Sequence, residues 1–157
     1  MTLKEKLRED LKEALRSGDE IRKSTLRLAL DALHKAEIPG EGESIATKVA
    51  LDEAGALKVL ADEAKKRRDA MAEFEKGGRT DLVAQERAEL AILLEYLPPQ
   101  LSEEDIARLA QEAIRQVGAS GPAHMGQVMK VLMPQVQGRA DGKAVAQVVR
   151  RLLEGAD

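Results

Sequence analysis

The chain contains no cysteine and no tryptophan, and its 157 residues include one tyrosine and one phenylalanine. Without thiols, disulfides, iron–sulfur clusters and thiol nucleophiles are excluded. Without aromatics, the core falls to Leu, Val, Ile, Met and Ala, which are mostly good helix formers. No apolar run approaches the roughly 18 residues needed to span a bilayer, and the opening residues MTLKEKLRED are charged where an export signal would be apolar. These absences lead to the expectation of a cytoplasmic protein without membrane contact. An excess of positive charge is missing too. At a net charge of −3, any nucleic-acid binding has to reside on a local patch.

What is present suits a folded helical chain: 43% hydrophobic and 34% charged residues, and enough length for one ordinary domain or two small ones. Leu3, Leu7, Leu11 and Leu15 repeat every four residues and predict a first amphipathic helix ending near Gly18. Asp19 then caps a second helix, on which Ile21, Thr25, Leu26, Leu28, Ala29, Leu30, Ala32 and Leu33 cover more than half the circumference, so deep packing is expected. Residues 39–43, PGEGE, read as a mobile surface loop. A long third helix starts near Ala46 or Asp52 and runs to Lys76. It carries the stripe Leu57, Leu60, Ala64, Met71 and Phe74 and the basic run Lys65, Lys66, Arg67 and Arg68. Gly77 and Gly78 stop it, and a fourth helix from Thr80 or Asp81 buries Leu82, Val83, Leu90, Leu93, Leu94 and Leu97, making an antiparallel hairpin.

Tyr96-Leu97-Pro98-Pro99 is the expected joint, because neither proline donates a backbone hydrogen bond and the first disfavours the α conformation at Leu97. It divides the chain into 1–97 and 98–157. Beyond it, Ser102 opens a fifth helix with Asp105 in a near capping box, a position that Glu would suit better. Gly121-Pro122 opens a sixth helix, whose stripe Met125, Val128, Met129, Leu132 and Met133 should end at Pro134. Asp141 caps a seventh, with Val145, Val148, Val149, Leu152 and Leu153 inward and Lys143, Gln147 and Arg150 opposite. The fold class is therefore all-α: a four-helix unit with a long hairpin, then a small three-helix unit. From Ala119 onward five basic residues face three acidic ones, so the tail is mildly positive.

No arrangement of catalytic or metal-binding residues emerges. His34 and His124 lie far apart without metal-ligand spacing, and the carboxylates alternate with Lys and Arg in an ordinary solvated pattern, so neither a metal, a cofactor nor a catalytic residue is expected. GRADGKA at 138–144 resembles a phosphate-binding loop only superficially. Three residues separate its glycines where four are needed, and Ala144 stands where magnesium binding needs Ser or Thr. The start of the last helix, with Arg139 and Lys143 beside it, is either a phosphate-accepting site or a turn with solvated cations. The run Lys65 to Arg68 either grips an RNA backbone or faces water beside Asp62, Glu63 and Asp69. Scarcity of aromatics argues for recognition of phosphates and shape over stacking of unpaired bases. The row Met125, Met129 and Met133 is either core packing or an adaptable partner surface.

The segments LREDLKEALRSGD with STLRLALDALHKAEI, KKRRDAMAEFEKGGRTDLVAQERAELAILLEYLPPQLSEEDI, and HMGQVMKVLMPQVQGRADGKAVAQVVRRLL resemble the YqeY-like family over nearly the full length. The C-terminal part of that family is similar to the tail domain of GatB, the B subunit of the tRNA-dependent amidotransferase. The resemblance implies the same four-plus-three helix plan and a tRNA-engaging role for Gly126, Lys130, Gly138, Arg139, Gly142 and Lys143. It implies no catalysis by this chain alone, because the label of carbon–nitrogen ligase with glutamine as amido donor belongs to the whole complex. The implied partners are tRNA or a protein of tRNA-dependent amidation or translation. The alternative is a protein-interaction adaptor using the hairpin and the Met-rich helix. One departure stands out: His124 occupies the position before Met-Gly where the family has an acidic residue.

Overall fold

The computed structural model describes residues 1–38 and 51–155, and every regular element among them is helical. The expected loop at 39–43 and the earlier possible start of the third helix at Ala46 lie outside the described residues. The chain divides into two compact units, Met1–Pro98 and Pro99–Asp157.

The first unit contains α1 (Leu3–Ser17), α2 (Glu20–Glu37), α3 (Glu53–Lys76) and α4 (Thr80–Leu94). A capping box starts α1: the Thr2 hydroxyl accepts the Glu5 N–H at 3.1 Å, and the Glu5 carboxylate accepts the Thr2 N–H at 2.8 Å. Gly18, at φ 74°, closes the helix in the left-handed conformation. The leucine stripe does not stay inside. Each four-residue step advances about 40° around a helix of 3.6 residues per turn. Leu15 has therefore rotated to 49% exposure, while Ala14 takes the buried position.

Deep packing of α2 is corrected for the same kind of reason. Thr25, Leu26, Ala29 and Leu33 are buried, but Ile21 and Leu28 remain 46% and 49% exposed, so the helix packs on one side. Buried Thr25 donates its hydroxyl to the Ile21 carbonyl at 2.8 Å, which satisfies the polar group without a distant partner. Asp52 caps α3 by accepting the Gly55 N–H at 2.7 Å. Gly78, at φ 69°, turns the chain into α4, with the Arg79 N–H bound to the Phe74 carbonyl at 2.9 Å. Leu7, Leu26, Leu33 and Leu60 are fully buried at the centre of this unit.

The fourth helix stops at Leu94, before the expected Leu97, and residues 95–97 form a turn ahead of Pro98. Leu97 is nonetheless buried. Beside it the Tyr96 hydroxyl donates to Asp10 at 2.5 Å, and the Lys6 ammonium lies 5.6 Å from the ring centre. Burial first, then the bond to Asp10, hold the phenol above its ordinary pKa. Tyr96→Phe is expected to destabilise the unit by about 1–2 kcal/mol, read in chemical denaturation, because it removes one charge-assisted bond and leaves the ring in place. An unchanged midpoint would mean that the bond contributes nothing.

The second unit contains α5 (Glu103–Val117), a short 3-10 turn (Pro122–His124), α6 (Met125–Val136) and α7 (Gly142–Leu153). The capping box on α5 is complete despite the shorter Asp: the Asp105 N–H reaches the Ser102 hydroxyl at 3.1 Å, and the Ser102 N–H reaches Asp105 at 3.2 Å. Val128, Leu132, Val136, Val145 and Val149 are fully buried and pack with Ile106, Ala110 and Ala113.

Pro134 does not end α6, which continues to Val136. Proline removes one bond, to the Lys130 carbonyl, on a face open to water, since Lys130 and Pro134 are both exposed. Burial of Val136 and the bond from the Gln137 N–H to the Met133 carbonyl at 3.0 Å carry the helix past it. Pro134→Ala is thus expected to stabilise the unit by about 1–2 kcal/mol, somewhat below the roughly 3 kcal/mol interior difference because the site is near a helix end. A lower melting temperature in that variant would show that the ring contributes packing.

Candidate nucleic-acid interface

Two groups of basic residues were candidates, and the structure places them in different surroundings. On α3, Lys65 pairs with Asp69 at 3.2 Å and Lys66 with Glu63 at 3.0 Å. Arg67 leans across to α4, where its Nη1 lies 3.1 Å from Glu89 and its Nε 3.4 Å from Glu86. Arg68 also has an interaction partner. Lys65, Lys66 and Arg67 are therefore paired with acids of the first unit, and Arg67 is a bridge between the two arms of the hairpin.

That bridge was not legible in the sequence, because Glu86 and Glu89 look like ordinary surface acids. Glu89 is 6% exposed, and Gln85 donates to its second oxygen at 3.3 Å. Two carboxylates share one guanidinium. Burial, with the nearby Glu89 charge adding to it, holds the Glu86 carboxyl above its ordinary pKa, although Arg67 acts in the opposite direction.

Surroundings are different in the second unit. Gly138, at φ 76°, reverses the chain after α6, and the N–H groups of Arg139 and Ala140 both bond to the Val136 carbonyl, at 2.9 and 3.1 Å. The turn is tied to the start of the unit: Gln100 donates to the Gly138 carbonyl at 2.9 Å, and the Leu101 N–H to the Arg139 carbonyl at 2.8 Å. Arg139 is thus fixed at its backbone, directly before the helix start.

Asp141 caps α7, accepting the Lys143 N–H at 3.5 Å. Its charge occupies the helix start, where an incoming anion would otherwise be favoured. Anion binding here falls to side chains more than to backbone N–H groups. Lys130, Lys143 and Arg150 are exposed and Arg139 is half-buried. Among the described residues none of the four has a carboxylate within 4.0 Å. The unit's other cations are engaged, Arg108 by Asp105, Arg115 by Glu112, and Arg151 by Glu103 at 2.8 Å. Asp105 is held below its ordinary pKa, first by the Ser102 N–H, with smaller contributions from Arg108 and Arg139.

The three candidate glycines differ in what they do. Gly138 requires a left-handed backbone; Gly126 and Gly142 do not. A Cβ on Gly126 would meet nothing within 4 Å, and one on Gly142 only the Met133 methyl at 3.8 Å. Packing does not explain the choice of glycine at 126, in the exposed first turn of α6. The departure at His124 also resolves locally: its Nδ1 accepts the Ser120 N–H at 3.1 Å, and α6 has no side-chain cap. Met125, Met129 and Met133 are half-buried against the core of the unit.

Arg150 was outside the sequence-based set of site residues. It lies seven residues beyond Lys143, almost two full turns, so both share the outer face of α7. That spacing was readable from sequence; what was not readable is that neighbouring Arg151 pairs with Glu103 while Arg150 is unpaired among the described residues.

Elsewhere, an open crevice of about 430 Å³ in the first unit is lined by Lys6, Asp10, Glu13, Arg22, Glu95 and Tyr96. Its charges largely neutralise one another, with Arg22 on Glu95 at 2.7 Å and Lys6 on Asp10 at 3.5 Å. Among the described residues no cluster of three or more His, Asp or Glu is placed to hold a metal ion, and no helix is long and apolar enough to cross a membrane.

A family model described as a YqeY-like protein matches residues 4–153. Similar curated proteins carry the name "Altered inheritance of mitochondria protein 41, mitochondrial". That of Lachancea thermotolerans is 31% identical over 119 residues, 74% of this chain and 60% of the relative. That of Kluyveromyces lactis is 33% identical over 142 residues, 88% of this chain and 69% of the relative. That of Saccharomyces cerevisiae strain YJM789 is 28% identical over 141 residues, 88% and 70% respectively. The chain thus spans 60% of the length of the Lachancea protein. These names overturn the expected cytoplasmic placement, since the relatives are mitochondrial by name. Absence of cysteine and of long apolar runs does not distinguish one thiol-reducing compartment from another.

Proposed function

The chain belongs to the YqeY-like family, as its match over residues 4–153 shows, and on that premise we propose that it is an RNA-binding module, with tRNA as the ligand class and the outer faces of α6 and α7 as the contact surface. One observation carries the reading: Lys130, Arg139, Lys143 and Arg150 have no carboxylate partner among the described residues, whereas Lys65, Lys66 and Arg67 of α3 are paired with acids of their own unit. Unpaired cations on a rigid scaffold can take phosphates without first giving up an ion pair. Exposed Gly126, one turn before Lys130, supports the same reading, because a bare backbone permits close approach of a ligand and nothing in the packing requires it.

The role proposed is binding, not catalysis. Any association with tRNA-dependent amidation would be through the RNA or through a partner enzyme. A filter-binding titration of tRNA at low and moderate salt tests the proposal. Weakening at higher salt and in Arg139→Glu/Lys143→Glu is the expected result; absence of binding, or a double variant as tight as the parent, would sink it.

A second reading, a protein-interaction adaptor, draws on the half-exposed Ile21 and Leu28 of α2. It would be favoured by a protein partner that stays bound after nuclease treatment and is lost in Leu28→Lys.

A further inference from the structure

We infer that the second unit takes a base-paired RNA stem, held by its phosphates along a ridge of α7 formed by Lys143, Gln147 and Arg150, and not an unpaired strand held by its bases. The inference rests on the RNA-binding reading above and narrows its ligand.

Residues 99–157 contain no Phe, Tyr or Trp. Proteins that hold unpaired bases stack them on such rings, and each stacked base contributes roughly 1–3 kcal/mol. This unit has no such platform. Its one flat ring, His124, is half-buried and tied through Nδ1 to the Ser120 N–H. Binding energy here has to come from charge and polar contacts to the backbone of the nucleic acid.

The ridge has the geometry for that. Lys143, Gln147 and Arg150 follow i, i+4, i+7 spacing, and all three are exposed. The inward positions Val145, Val148, Val149 and Leu153 are buried, so the ridge cannot rotate into the core. At about 1.5 Å rise per residue, Lys143 and Arg150 stand roughly 10 Å apart along the axis. In a base-paired stem the phosphates of each strand recur at a regular spacing of several ångströms, so Lys143 and Arg150 at the two ends of the ridge can reach different phosphates of one strand. The central Gln147 amide can donate to a phosphate or a ribose hydroxyl without adding charge. A fixed row suits a backbone whose phosphates are already held in register by base pairing; a flexible single strand would have to be ordered on it first.

Fluorescence anisotropy of the full chain tests this with two hairpins of unrelated stem sequence and one unstructured strand of the same length. Both hairpins should bind within about two-fold of each other, and tighter than the strand by about ten-fold at moderate salt. Arg150→Glu should weaken hairpin binding about ten-fold and flatten its salt dependence by about one unit of log–log slope. Arg151→Glu is the matched control, because Glu103 already holds that cation; it should change affinity less than about three-fold. A strand binding as tightly as the stems, strong discrimination between the two stem sequences, or an Arg150→Glu variant indistinguishable from the parent would overturn the inference while the RNA-binding reading stood. Failure of every RNA, tRNA included, would overturn both.

Discussion

Replacing Arg67 with methionine is expected to lower the stability of the first unit by about 3 kcal/mol, a fall in melting temperature of roughly 10–20 °C. The guanidinium lies between Glu86 and Glu89, whose side chains are 15% and 8% exposed. Removing it leaves a buried carboxylate facing another carboxylate with no cation between them. Loss of one partner of a buried pair typically costs about 3–5 kcal/mol, and the 22% exposure of Arg67 places this case at the lower end. Replacing all three charged groups, Arg67→Met/Glu86→Gln/Glu89→Met, should recover most of the loss, because no unpaired charge then remains. Full destabilisation in the triple variant would mean that Arg67 acts through packing of its stem instead.

The same node sets a pH dependence. The folded Glu86 carboxyl lies above its unfolded value, so between the two values the folded chain binds more protons than the unfolded one. The contribution of Glu86 to stability is therefore greatest below the unfolded value and is lost as pH rises through the folded one. Glu86→Gln should remove that loss. Relative to the parent, the variant gains stability from mildly acidic to neutral pH, read as the difference between two series of thermal melts. A constant difference across that range would contradict the assignment.

The second large effect is on binding. Reversing two unpaired cations, Arg139→Glu and Lys143→Glu, should weaken tRNA binding by about a hundred-fold at low salt, roughly ten-fold for each reversal, with a shallower salt dependence. Lys143 is exposed and Arg139 is bound to its surroundings through the backbone, so the substitutions leave the helical frame in place. The effect should be of similar size for different tRNAs, because contacts to phosphates position the ligand without reading its sequence.

Helical class, the caps at Thr2, Asp19, Asp52, Ser102 and Asp141 and the left-handed glycines at 18 and 118 follow local rules, so α1 to α7 were readable from the chain apart from a few boundaries. The errors arise where a distant contact decides. Leu15 and Leu28 fit an apolar stripe but remain about half exposed, and Pro134 is carried inside α6 by the burial of Val136.

The candidate site divides in the same way. That Lys65 to Arg68 and Arg139 to Lys143 are basic is visible in the sequence. Which of them have acidic partners depends on what the fold brings near, as Glu86 and Glu89 show for Arg67. Arg150 and Arg151 are adjacent in sequence, yet the step of about 100° between them around the helix separates an unpaired cation from one held by Glu103. Compartment was not legible from what the chain lacks, and the names of its relatives corrected it.

The most direct measurement is an equilibrium titration of tRNA at low salt against three proteins: the parent, Arg139→Glu/Lys143→Glu, and Lys65→Glu/Lys66→Glu. Both variants reverse the same number of charges. If the outer faces of α6 and α7 hold the RNA, the first variant loses about a hundred-fold in affinity and the second stays within about three-fold of the parent. Equal losses in the two variants, or a parent that does not bind tRNA, would contradict it.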